Sequence, residues 1–378
     1  MALHEETAVL EGPATWLELD RAALLHNLAG VRALVGPAQI MAILKANAYG
    51  AGATGMARVL AAAGVTTFGV ATVTEGVELR QTGITGTILC LTYFTRDEID
   101  PILEHNLTAS LFTIEAGQLL AARATAEGRR APVWVKVDTG LCRLGVPFRE
   151  ASDFCRALGK MAGLEIAGLF STLTENPERD PHQIQRLLAV RSAVPELTGA
   201  SLSLASSHGI VSLPDSTLDV VRPGILLHGL EPSERQRMDL RLVERADLRP
   251  IAIWKARVGF VKTVAPGEQI GYGFRPVLAD ATRVATLTVG WAVGYSAGMS
   301  QGGAVLIQGR RCPVVAVSAN STLVDLSGAP EIGVNDEAVL LGKQGNAEIT
   351  AAEMAQMTGG SVYRLLTAVP HDVPRVWR

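Results

Sequence analysis

Short β-rich runs alternate with helix-length amphipathic segments over the first two thirds of the chain, and this rhythm restricts the fold more than any other feature. "WLEL" (16–19) is followed by Asp20, a good helix N-cap, and by "RAALLHNLAGVRALVG", whose Leu24, Leu25, Leu28, Val31 and Leu34 recur at helical spacing. "QIMAILKA", the helical "TGMARVLAAAG" and the strand-like "TTFGVAT" come next. "TILCLTYF", "LTASLFT", "PVWVKVDTG", "LEIAGLFS", "SLSLASS" and "LDVVRPG" continue the series, separated by helical or loop text. Alternation at this period predicts a parallel sheet. Counting "WLEL", there are nine candidate strands for eight places. That number favours a closed (β/α)8 TIM-type barrel over residues 16–245 rather than an open doubly wound sheet.

The texture changes near residue 246. "DLRPIAIWKARVGFVKTVAPGEQIGYGF", "TRVATLTVG", "AVLIQGRRCPVVAVS", "STLVDLS" and "DEAVLLGKQG" are β-branched and punctuated by Gly and Pro. No long amphipathic helix intervenes before "TAAEMAQMTGG". Residues 246–378 therefore read as a C-terminal β-rich domain, and residues 1–15 as an N-terminal segment free to join it. A chain of 378 residues exceeds one ordinary core, which agrees with two domains.

Composition removes several classes of function. Apolar residues make up 48% of the chain and its formal net charge is −3, with no Lys/Arg run, so neither nucleic acid nor a membrane surface is an expected partner. Cys90, Cys142, Cys155 and Cys312 show no CxxC pairing or zinc spacing, so neither a metal site nor a disulfide scaffold is expected. The first residues lack a basic start followed by an apolar run, and no apolar stretch approaches the ~20 residues of a membrane span. The default expectation is a cytoplasmic protein.

In a barrel of this kind, active sites sit at the C-terminal ends of the strands. Lys45, Asp138, Thr172, Ser207 and Arg222 all fall at or just after candidate strand ends. A lysine closing an apolar run loses solvation there, which lowers its pKa and suits its amine to condensation with an aldehyde. Snorkelling from the strand end is the plainer reading. Small residues and Tyr49 follow Lys45 in "LKANAYGAG", so the backbone can turn close to a bound group. In "VRPGILLHG", Arg222 precedes Pro-Gly, where backbone N–H groups can approach an anion; a surface salt bridge is the alternative. Ser206 and Ser207 in "LASSHG" suit a phosphate or a helix cap equally. Arg143 in "VKVDTGLCRLGV" suits a carboxylate clamp or a solvated loop charge.

Taken in order, "LKANAYGAG", "VKVDTGLCRLGV", "GLFS", "LASS", "VRPGI", "GYG" and "VPRVW" resemble the alanine racemase family, from about Trp16 to Trp377. The resemblance implies a pyridoxal 5′-phosphate barrel with a C-terminal β domain, working as a head-to-tail homodimer on a small amino acid. It implies that Lys45 forms the internal aldimine. By the same resemblance Tyr49, Ser207, the Gly224–Ile225 backbone and Tyr363 hold the phosphate, and Arg222 meets the pyridine nitrogen. Arg143 orients the cofactor oxygen and the substrate carboxylate, and Lys136 matches a lysine that is often carbamylated and pairs with that arginine.

The chain departs from the family pattern on the substrate side. Racemisation needs a proton-transfer group on each face of Cα. The family uses the lysine and, from the partner subunit, the tyrosine of a G-Y-A-D-G motif. Here "VGWAVGYSAG" puts Trp291 at the tyrosine and Val293 at the aspartate. A phenol ionises near a pKa of about 10 and an indole does not ionise usefully, so Trp291 cannot be a general base. Tyr295, His208, His228 and water are the remaining candidates for a second base. Thr172 replaces a histidine, Ala319 and Asn320 replace a Met-Asp pair whose backbone helps bind the substrate carboxylate, His228 replaces a tyrosine, and Arg364 replaces a glutamate. Losing one proton-transfer group typically costs about 10²–10⁴-fold. The expectation is a racemase-like isomerase in which ordinary alanine racemisation is weak or absent. One-faced retro-aldol or elimination chemistry on a modified amino acid is an alternative. So is a cofactor-binding homologue without turnover, including a subunit that pairs with an active homologue as a heterodimer.

Overall fold

The computed structural model describes residues 9–232, 238–271 and 279–378. They form two compact units. The first contains Ala22–Ala48 and Ala53–Arg249; the second contains the chain through Arg21, Tyr49–Gly52 and Pro250–Arg378.

The first strand, β1 (Thr15–Leu19), lies outside the parallel sheet, and this corrects the count of nine candidates. The other eight all enter the barrel: β2 (Gln39–Ile43), β3 (Thr67–Val70), β4 (Thr87–Cys90), β5 (Thr108–Leu111) and β6 (Ala131–Asp138). After the two-residue β7 (Val146–Pro147), which pairs with the end of β6, come β8 (Leu164–Phe170), β9 (Ser201–Ser206) and β10 (Val220–Arg222). Neighbours pair in parallel around the ring, β6 with β8, and β10 closes it by pairing Val220 with Gln39 and Val221 with Ile40 of β2. Every residue of β3 and β5 is buried, as expected of strands packed on both faces. The barrel is thus a (β/α)8 barrel, with its strand ends at Ile43, Asp138, Phe170, Ser206 and Arg222 converging on one mouth.

The second unit is β-rich. Its longest strand, β11 (Ala252–Val264), alternates buried and half-buried residues over most of its length, the period of a strand with one face on a core. Further along are β12 (Thr282–Leu287), β13 (Ala304–Ile307), β14 (Arg310–Val317), β15 (Thr322–Asp325), β16 (Glu337–Gln344), β17 (Ala347–Ile349) and β18 (Arg375–Trp377). Antiparallel pairs run β11–β12–β15–β14–β13–β16 and return to β11, so six strands close on themselves and leave no open edge in the ring. β1 adds to β11 antiparallel, Thr15 opposite Ala256 through Leu19 opposite Ala252, and β18 adds to β1 in parallel. The segment from Thr15 to Leu19, assigned to the barrel from Trp16 onward by sequence pattern, is therefore part of the β-rich unit. A run this short carries no mark of which sheet it joins. Its place follows from a partner more than two hundred residues away.

No helix among the described residues is long and apolar enough to cross a membrane.

Candidate active site

In the barrel unit, β2 ends with Ile43 N–H on Pro223 O (2.9 Å) and Leu44 N–H on Gly69 O (2.8 Å), so the chain is held on both sides until it reaches Lys45. It then turns left-handed. Ala46, Asn47, Ala48 and Tyr49 all have φ between 50° and 54°. For non-glycine residues this costs roughly 1–2 kcal/mol each, and strain of that size persists only where neighbours hold it. The restraints are Ala48 N–H on Leu44 O (2.7 Å), Ala46 N–H on Glu75 Oε1 (2.6 Å) and Ala53 N–H on Asn47 Oδ1 (2.8 Å).

The residue Lys45 keeps exposed surface, yet its ammonium is crowded. Burial, then the Arg143 and Arg222 guanidinium groups, hold its pKa below the ordinary lysine value, with Glu75 opposing them. Lys136 on β6 is 6% exposed, with its Nζ 4.3 Å from the centre of the Phe170 ring. Burial first, then Arg222, Arg143 and Lys45, bring its pKa down to about 7, against an opposing pull from Asp138. The barrel mouth thus gathers Lys45, Lys136, Arg143 and Arg222, four groups whose positive charges disfavour one another.

Arg222 is the best anchored of the four. It is buried, donating through Nη1 to Ser203 Oγ and through Nη2 to Ser171 O, both at 2.6 Å, and it lies 5.4 Å from the Phe170 ring centre. Ser171 Oγ pairs with Thr139 Oγ1 (2.7 Å), and Gln183 Nε2 donates to Thr139 Oγ1 (2.8 Å) and Thr172 O (3.0 Å). Beside Arg222, the buried Ser207 hydroxyl accepts from Gly224 N–H (2.9 Å) and Leu226 N–H (3.4 Å), at the start of the 3₁₀ turn Ile225–His228. Two amides that converge on one oxygen, beside a hydroxyl with its own proton to donate, suit an anion. His208 and His228 are both buried; burial pulls His228 down to about 4, which keeps it neutral. His208 Nδ1 faces Glu175 Oε2 at 4.0 Å.

In the β-rich unit, Tyr49 and Tyr363 pack with ring centres 5.7 Å apart. Arg375 of "VPRVW" donates to Gly50 O from Nε (3.1 Å) and Nη2 (2.9 Å), so Gly50 is tied to β18 within this unit. The turns that carry Trp291 and Ala319 meet through the backbone. Trp291 N–H donates to Ser318 O (3.0 Å) and Ala292 N–H to Ala319 O (2.9 Å). A Cβ on Gly290 would lie 2.3 Å from Ser318 O, so only glycine permits this approach. The Trp291 side chain is 58% exposed.

Tyr295 is a correction. The sequence left it as a candidate second base, but it is 0% exposed, edge-on to Trp254 with ring centres 5.8 Å apart. Its hydroxyl has no hydrogen-bond partner among the described residues, and burial pushes its pKa well above that of a free phenol. It is a core residue. Tyr272 and Gly273 of "GYG" lie outside the described residues.

Sequence reasoning missed Glu75, Ser203, Gln183 and Arg375 as supports of the site. Glu75 carried a local signal, the Thr72-x-x-Glu75 pattern of a helix cap, and Arg375 lay inside the "VPRVW" motif without a role of its own.

Two family models match the chain: "Alanine racemase, N-terminal domain" over residues 19–232 and "Alanine racemase, C-terminal domain" over 251–377. Among curated relatives, the alanine racemase of Desulforamulus reducens is 37% identical over 96% of this chain and 98% of its own length, and that of Symbiobacterium thermophilum 35% identical over 96% and 97%. Among solved structures, an alanine racemase from Clostridium difficile 630 superposes with a TM-score of 0.90 at 29% identity, covering 97% of this chain and 96% of that one. The enzyme from a D-cycloserine-producing Streptomyces lavendulae gives 0.88 at 29% identity, covering 97% and 98%.

Proposed function

The chain belongs to the alanine racemase family, a family of pyridoxal phosphate enzymes, and from that premise we propose that it acts at Cα of a small amino acid with fast proton exchange on one face only. The observation that supports this is the exposed indole of Trp291, which the sequence motif sets at the family tyrosine's position, with the nearby Tyr295 hydroxyl buried in the core.

The donor set fits the cofactor. The Ser207 hydroxyl and the Gly224 and Leu226 amides suit phosphate oxygens, Lys45 is a lysine whose pKa is lowered, and Arg222 is a fixed donor beside them. The motifs add the Ile225 backbone, Tyr49 and Tyr363 to the phosphate side. When bound, pyridoxal phosphate supplies an aldehyde for amine condensation and a ring that draws electrons from Cα. Lys45 Nζ, with a larger neutral fraction near neutral pH than an ordinary lysine, provides the nucleophile and then takes and returns the Cα proton on its own face. Arg222 keeps its proton at any working pH, so it would leave a ring nitrogen held beside it unprotonated, which would favour prompt proton return by Lys45. Arg143 clamps the substrate carboxylate, with the Ala319 backbone as a further contact.

Lys136 completes the charge arrangement. With a pKa of about 7 it has a substantial neutral fraction at physiological pH. The lone pair of the neutral Nζ adds to CO₂ and the nitrogen releases one proton (two counted from the ammonium form), which sets a carbamate anion among three cations, paired with Arg143.

Trp291 neither accepts nor donates the second proton; it covers the opposite face. A large exposed aromatic on the β-rich unit agrees with a homodimer in which each copy offers its indole to the other's site.

Absorption spectra of the holoprotein with a panel of D- and L-amino acids test this reading. At least one small amino acid should perturb the cofactor band, while alanine racemises slowly. A band that answers to no amino acid would mark a cofactor-binding protein without turnover, and rapid alanine racemisation would place an efficient second base in the site.

A further inference from the structure

Glu75 performs two jobs with its two oxygens. As the third residue of the helix Val73–Gln81 it completes a capping box. Glu75 N–H donates to Thr72 Oγ1 (3.2 Å), and Oε2 accepts from Thr72 N–H (3.4 Å) and Ala71 N–H (2.7 Å). The cap occupies Oε2. Oε1 points away from it and accepts from Ala46 N–H at 2.6 Å, the first peptide of the left-handed turn and the one joined to Lys45. We propose that Glu75 is a positioning residue for Lys45: its carboxylate ties the strained turn to the neighbouring helix cap and aims the lysine amine at the barrel mouth. This rests on the reading that Lys45 is the reactive amine.

Only a carboxylate meets both demands. Both oxygens face N–H donors, and an ionised carboxyl is acceptor-only on each. A glutamine would turn its NH₂ toward either Ala46 or the cap, leaving one side opposed donor to donor. The charge matters as well. The groups acting on Lys45 are Arg143 from the loop after β6, Arg222 from β10 and Glu75 from the helix after β3, while Lys136 within β6 is itself pushed down by Lys45. Glu75 is the acidic group among them, and it resists the fall of the Lys45 pKa. Position and ionisation of the amine are thus coupled through one side chain.

Lys45 labelling in the full-length, cofactor-freed chain tests this without any turnover. Reductive methylation with formaldehyde and cyanoborohydride is followed against pH by peptide mass spectrometry, with the exposed Lys160 as reference. Glu75→Gln should lower the Lys45 labelling midpoint by about one pH unit, the scale of losing a nearby opposite charge. Thr72→Ala, which weakens the same cap and leaves Oε1 on Ala46, should leave that midpoint in place. An unmoved midpoint in Glu75→Gln overturns the proposal, and so does an equal shift in Thr72→Ala, because the effect would then belong to the cap alone. Should Glu75→Gln not fold, Glu75→Asp keeps the charge and loses the reach. It should speed amide exchange in the 44–49 peptide about tenfold, the scale of one lost hydrogen bond, and unchanged exchange overturns the proposal. Borohydride trapping of pyridoxal phosphate on Lys45 is a separate readout. A missing adduct there sinks the functional reading whatever the labelling midpoints show.

Discussion

The barrel mouth and the loop around Trp291 are built on opposite principles. At the mouth, Arg222, Lys136 and Ser207 are buried, and Arg222 and Ser207 are fixed by hydrogen bonds to neighbouring strands and turns. Around Trp291 the backbone is pinned to Ser318 and Ala319 while the side chain stands in solvent. A buried charged network tolerates little substitution, because removing one partner strands the others in a medium that penalises them. A side chain that projects from a backbone-held turn can be exchanged without cost to its own unit. On the function proposed above, the two regions answer to the two halves of the chemistry: the first would hold the cofactor, and the second presents the indole of Trp291.

The comparison breaks most plainly at Lys45. Lys45→Ala should abolish borohydride-fixed pyridoxyl label on the protein while the fold persists, since the side chain is exposed and packs no core. Next in size, Trp291→Tyr should raise alanine racemisation by about 10²–10⁴-fold, the usual worth of a proton-transfer group. No gain, with cofactor bound normally, would show that Thr172, Ala319 and Asn320 weigh as much as the indole.

Lys136 gives a pH signature confined to the barrel. The unfolded chain binds a proton at this amine up to the ordinary lysine pKa, while the folded chain binds it only below about 7. In CO₂-free buffer, stability should therefore rise with pH from about 7 toward the ordinary lysine value, the burial penalty being complete below that window. The full excursion is on the order of 5 kcal/mol. Denaturant titrations of Lys136→Met should lose this slope. A wild-type chain with no slope would mean that the amine is already solvated or masked. The smallest effect belongs to Tyr295→Phe. Removing a buried hydroxyl that has no partner among the described residues should leave turnover unchanged and alter stability by about 1 kcal/mol, in the stabilising direction. A loss of activity would return Tyr295 to the site.

The sequence made the strand–helix rhythm readable because each barrel strand is a compact apolar run between turn signals, and a lysine ending such a run stands out. It did not show that "WLEL" crosses to the other sheet, or that β11 closes a six-stranded ring with β16. Both depend on pairings between distant segments, Leu19 with Ala252 and Trp254 with Leu341. Tyr295 misled for a related reason. In "VGYSAG" it is flanked by small residues suited to an open loop, and only the packing of Trp254 against it reveals a core position. Glu75 was visible as a helix cap, but its second oxygen is committed to a turn 29 residues earlier, which no local pattern records.

Deuterium exchange at Cα tests the central claim most directly. Incubated with L-alanine in deuterated water, the holoprotein should place deuterium at Cα while the recovered alanine stays predominantly L, as the proposal that Lys45 serves one face and nothing ionisable the other requires. Recovery of D- and L-alanine in comparable amounts at the rate of deuterium entry would contradict it, and so would the absence of deuterium from the product.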